Sequence, residues 1–142
     1  MFYRRRKSNV LTSYRRKNKH LFLSLTKALC HADGHFTDDE RAMVEQYCKE
    51  LEIASDSADA VSYPKELMQQ LAASSDAREK KIIVFELLGL AHVDKEFSAD
   101  ERRFVEELRT VFAMDTDYIQ RAEELIRSYL DIQDRVNALI LG

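Results

Sequence analysis

The 142 residues of this chain suit one ordinary domain, long enough to bury roughly two thirds of the surface that the unfolded chain exposes. Three glycines and one proline among abundant Ala, Leu, Glu, Lys and Arg point to helices, and they exclude the glycine-rich phosphate cradles of P-loop and dinucleotide-binding folds. The net charge of −3 hides a bipolar chain: residues 1–20 hold eight of the 22 basic residues and no acid, which leaves 14 basic against 25 acidic residues, or −11, in the remainder.

Residues 1–17 carry a charge of +7 with Phe2, Tyr3, Val10, Leu11 and Tyr14 set between the cations. They read as a flexible basic arm, either solvated against the acidic body or in peripheral contact with a membrane or polyanion, without specific recognition of a nucleic acid. The apolar run that follows, 21–25, is broken by Ser24, so it lacks the uninterrupted stretch of a signal peptide. The best apolar run, 82–93, contains Glu86 and falls short of the ~20 residues that a membrane span requires. Cys30 and Cys48 form no C-x-x-C pair. The expected location is a reducing cytoplasm, with the arm able to reach the inner face of a membrane.

Residues 18–142 read as one helical domain. A first helix is predicted over 19–31, where Leu21, Phe22, Leu25, Ala28, Leu29 and Ala32 recur at the spacing of one buried face. A second follows Thr37 and runs to about residue 51, burying Met43, Val44, Tyr47, Cys48 and Leu51. The polar stretch 52–62 reads as a loop. Pro64 suits the first turn of a short third helix, fading near residue 73, because its missing N–H costs nothing there. Ser75 or Asp76 opens a fourth helix whose segment 82–91 is apolar nearly all round, the expected core helix, with Glu86 as a half-exposed exception that shares a face with Asp94. A fifth helix follows Ser98 and carries Phe104, Val105, Leu108, Val111 and Phe112. A sixth, opened by Asp115 or Thr116, carries Ile119, Ala122, Leu125, Ile126 and Tyr129, then continues or breaks over 132–141.

One stretch occurs twice. H-A-D-G-H-F-T-D-D-E-R-A-M-V-E begins at His31, and H-V-D-K-E-F-S-A-D-E-R-R-F-V-E begins at His92, an offset of 61 residues. His, Asp, Phe, Asp, Glu, Arg, Val and Glu are identical at matched positions, and the offset extends to the packing residues of the second and fifth helices. The expected fold is all-α: six or seven helices in one compact bundle with an internal, pseudo-twofold helix-loop-helix repeat. Thr37 to Glu40 and Ser98 to Glu101 each have the S/T-x-x-E form of a capping box. Each loop also resembles the second half of a calcium-binding EF-hand loop, but Leu29 and His31, then Leu90 and His92, stand where that loop requires its first oxygen ligands.

The pattern A-D-G-x-F-x-x-D-E-R, duplicated in a small helical chain, resembles the tellurite-resistance protein B (TerB-like) family over residues 21–129. The resemblance implies a non-enzymatic all-α domain associated with tellurite or metal stress, with acidic loops that bind divalent metal and a surface for protein partners. Carried over position by position, it gives Asp33 and Asp94 in the loops and Glu40 and Glu101 at the helix starts as the metal residues. Gly34 matches the family's turn and Lys95 departs from it. Oxygen ligands favour a hard cation, calcium or manganese before zinc. Beside that reading stands a local one: Glu40 and Glu101 as caps, Asp39 and Asp100 as charges favourable to a helix dipole, His31 and His92 as helix C-terminal residues, and Phe36 and Phe97 as core anchors. The corresponding alternative function is a metal-free adaptor module. No pairing of nucleophile and base supports an enzyme, and the two cysteines read as buried small hydrophobes.

Overall fold

A computed structural model of the chain describes residues 16–32, 34, 36–53, 63–93 and 97–142. Among them are six helices: α1 (Arg16–Cys30), α2 (Asp38–Leu51), α3 (Pro64–Ser74), α4 (Ala77–His92), α5 (Ala99–Val111) and α6 (Thr116–Leu141). Residues 1–15 of the expected basic arm lie outside the described residues, whereas Arg16 and Lys17 already belong to α1.

The helix ends follow local chemistry. Pro64 occupies the first turn of α3. Of the two candidates for α4, Asp76 is the cap, its carboxylate accepting the Glu79 N–H at 2.8 Å. That hydrogen bond also holds the exposed Asp76 carboxyl below its ordinary pKa. Asp115 caps α6 by accepting the Asp117 N–H at 3.0 Å. α2 ends at Glu52 in the left-handed conformation, its N–H returned to the Cys48 and Lys49 carbonyls.

Two helices share the centre. α4 buries every residue from 82 to 92 except Phe85, which is half-buried, and packs against α1, α5 and α6. α1 buries all of 21–26 and meets α2, α3, α4 and α5, so it is as central as the helix that the sequence singles out. Polar groups that this placement buries find partners both within their own helix and across the bundle. Thr26 donates its hydroxyl to the Phe22 carbonyl at 2.8 Å. Asn18 donates to the Ser74 carbonyl at 3.3 Å and accepts the Ser74 hydroxyl at 2.9 Å, which ties the start of α1 to the end of α3.

Two expectations change, and one alternative left open by the sequence is settled. Glu86 is fully buried rather than half-exposed, because its carboxylate accepts the Tyr47 hydroxyl at 3.0 Å from α2. α6 continues unbroken through 132–141 as one helix of 26 residues. Leu125 and Tyr129, which share the apolar spacing of Ile119, Ala122 and Ile126, are exposed, since the buried face of α6 is formed by Ala122 and Ile126. No helix among the described residues is long and apolar enough to cross a membrane.

Leu88 is fully buried in α4. Leu88→Ala should therefore destabilise the domain by roughly 2 to 5 kcal/mol through the cavity left behind, and Phe85→Ala by less, both read from urea denaturation.

Candidate functional site

The duplicated motif falls at two elbows, one joining α1 to α2 and the other joining α4 to α5. At the first, the Thr37 hydroxyl accepts the Glu40 N–H at 3.1 Å, and Glu40 Oε1 accepts the Thr37 N–H at 3.0 Å. At the second, the Ser98 hydroxyl accepts the Glu101 N–H at 3.1 Å, and Glu101 Oε1 accepts the Ser98 N–H at 3.2 Å. Both are complete capping boxes, and both glutamates are buried. Two of the backbone donors that a helix start leaves unmatched are thereby satisfied at each elbow.

Each elbow also builds the same aromatic stack. Phe36 lies 4.9 Å from the His31 ring and has the Arg41 guanidinium 4.8 Å from its centroid. Phe97 lies 4.6 Å from the His92 ring and has the Arg102 guanidinium 4.3 Å from its centroid. Each phenylalanine is partly buried against the core, so it joins the end of one helix to the first turn of the next through a cation–π contact. The arginine contacts are the detail of the elbows that the sequence pattern does not show. The identity of the arginines at matched positions was the available signal, and only the folded elbow shows that they cover the rings.

The first loop turns at Gly34, whose φ of +79° is the left-handed conformation that glycine adopts without steric cost, and its N–H donates to the His31 carbonyl at 3.1 Å. Asp33 and Asp94 lie outside the described residues, as does Lys95. Of the four residues expected to bind metal, the structure therefore places two, Glu40 and Glu101, and it places them as caps. Among the described residues no group of three or more His, Cys, Asp or Glu side chains is gathered as a metal site. Asp38 and Asp39 in the first turn of α2 are exposed, as is Asp100 in α5, which pairs with Arg103.

Away from the elbows, α2 and α4 supply the buried pair Tyr47 and Glu86. Tyr47 packs edge-on against Phe22, with centroids 5.4 Å apart, while its hydroxyl reaches Glu86. Burial, then the neighbouring Glu86 charge, drives the Tyr47 phenol well above its ordinary pKa, so it stays a donor at neutral pH. Cys30 and Cys48 are both buried, and burial also raises the Cys48 thiol, which keeps it protonated and unreactive.

A cavity of about 450 Å³ opens between the start of α4 and the α5–α6 turn, where Lys80, Lys81, Met114, Asp117, Tyr118 and Arg121 are among its walls. Tyr118 donates to the Lys81 carbonyl at 2.6 Å, and burial pushes its phenol up to about 12, so it is no general base near neutral pH. Arg121 is held by Asp117 at 3.1 Å. Sequence periodicity carries no sign of this cavity, since it joins residues about 40 apart through tertiary packing.

No family model and no curated protein matches the chain. A crystal structure of a tellurite resistance protein from Nostoc punctiforme does match, at a TM-score of 0.63 and 15% identity, over 89% of this chain and 82% of that one. The chain has the fold of a tellurite resistance protein. At that identity the likeness is one of fold, and it agrees with the TerB-like resemblance drawn from the elbows.

The caps make a stability prediction. Thr37→Ala and Ser98→Ala should each cost about 1 kcal/mol, and the double variant close to the sum, because the two boxes share no residue. Chemical denaturation of the three variants checks this.

Proposed function

We propose that this protein is a non-enzymatic domain serving tellurite or metal stress, built on a duplicated helix-loop-helix unit whose two elbow loops offer Asp33 and Asp94 to a divalent cation. The observation that carries the reading is the identical construction of the elbows, with the same reciprocal cap and the same His–Phe–Arg stack, around loops that each contain an aspartate in sequence. The fold likeness to a tellurite resistance protein supports the stress association. Glu40 and Glu101 act as the frame of each loop, and their Oε1 atoms are engaged by the cap hydrogen bonds. Oxygen donors suit calcium or manganese better than zinc, and only the first loop has a glycine, Gly34, at its turn.

A specific observation favours a second reading, a metal-free adaptor. The two glutamates are already used as caps, and α6 presents an exposed apolar stripe suited to another protein. The basic arm would add contact with a membrane or polyanion.

Thermal melting after chelation, then with calcium, magnesium, manganese or zinc, separates the two. A cation at about 100 times its Kd adds roughly 2.7 kcal/mol, which at 2 to 4 °C per kcal/mol for a domain of this size is a shift of about 5 to 10 °C. Asp33→Asn should remove most of the shift and leave the metal-free melt unchanged, whereas Glu40→Ala should lower the metal-free melt as well. If millimolar levels of all four cations leave the melt unmoved, the metal reading fails and the adaptor reading stands.

A further inference from the structure

Beyond Leu130, the last residue of α6 to pack against the core, the helix adds nothing buried to the domain. All residues from 131 to 142 are exposed, yet Ile132, Val136, Leu139, Ile140 and Leu141 fall among them. Going back toward the body, the apolar positions Leu125, Tyr129, Ile132, Val136 and Leu139 step by four, three, four and three residues, and their exposures run from 46% for Val136 to 84% for Leu139. That alternation is the seam of a coiled coil, a narrow stripe repeating every 3.5 residues, and it runs alongside the face that buries Ala122 and Ile126 and carries on past the end of the body. A one-sided helix end of this length is marginal in water by itself, because short isolated helices do not repay their nucleation.

We propose that α6 pairs through this seam with α6 of a second copy of the chain, forming a twofold symmetric dimer. Two features favour a copy over other occupants. The first is charge. Over residues 125–142 the charged side chains are Arg127, Asp131, Asp134 and Arg135, a net of zero. Arg127 pairs with Glu123 at 3.2 Å and Arg135 with Asp131 at 4.0 Å within the helix. A surface neutralised in this way meets its own copy without like-charge repulsion and lacks the basic face that draws an amphipathic helix to an anionic membrane. The second is area. Five side chains at roughly 100 Å² each, on both copies, remove about 1,000 Å² before flanking residues are counted, which reaches the size a stable interface must clear. A self-complementary patch used twice is also the commonest route to an oligomer. The pairing involves neither elbow and is independent of metal.

Sedimentation equilibrium of the full chain under reducing conditions, from about 1 to 100 µM to bracket a micromolar Kd, tests it alongside far-UV circular dichroism. The wild type should move from 16.6 kDa toward twice that mass, with helicity rising as it does. Ile132→Glu and Val136→Glu change residues that are exposed in the monomer, so each should leave the fold intact while raising the dimer Kd at least tenfold. A wild type that stays monomeric at the highest concentration overturns the proposal, as does a dimer that both variants leave intact. A monomer that binds phosphatidylserine vesicles, and loses that binding on Ile132→Glu, overturns it in favour of a membrane.

Discussion

The reciprocal hydrogen bonds between Thr37 and Glu40, and between Ser98 and Glu101, are the constraint from which the rest of this structure follows. A helix start leaves its first N–H groups without intrahelical partners, and where the capping side chain is buried they are best met by that side chain. Here a hydroxyl and a buried carboxylate meet them at both elbows, at 3.0 to 3.2 Å. Because the caps fix where α2 and α5 begin, they also fix where Phe36 and Phe97 enter the core and where Arg41 and Arg102 come to rest over them. The acidic loops are then short spans between an anchored helix end and an anchored helix start.

The core behind the elbows shows the same economy. α1 and α4 cross the centre, and each carries a polar side chain that a fully apolar helix would not need. Thr26 returns its hydroxyl to its own helix, and Glu86 receives the Tyr47 hydroxyl from α2. A buried carboxylate is costly unless it is hydrogen-bonded, so the Tyr47–Glu86 contact both satisfies that carboxylate and ties α2 to α4 through the core. The raised pKa of Tyr47 has the same origin, since burial and the neighbouring acid both disfavour a phenolate.

The features legible in the sequence were those set by neighbours along the chain. The S/T-x-x-E boxes, Pro64 at the start of α3, the cap before α4 and the apolar run of 82–91 all act within one or two turns, and the helices lie where these signals placed them. What escaped was fixed by contacts between distant segments. Glu86 looked half-exposed because nothing near it in sequence could pair with it; its partner Tyr47 is 39 residues away. Leu125 and Tyr129 share the apolar spacing of the buried residues of α6, but periodicity finds an apolar face without saying what it packs against, and only part of that face is buried. The loop aspartates fit a metal site by type and order, but the glutamates expected to complete it satisfy their own helix starts, the other role that the same motif allowed.

The central claim is that Glu40 and Glu101 are structural caps holding two equivalent elbows. Amide hydrogen exchange tests it most directly, because it reads the bonded donors themselves. The N–H groups of Thr37, Ser98, Glu40 and Glu101 should be protected nearly as well as the interiors of α2 and α5, and in Glu40→Ala the protection at Thr37 should vanish while that at Ser98 persists. Exchange of all four amides at the rate of an open loop, beside protected helix interiors, would contradict the account.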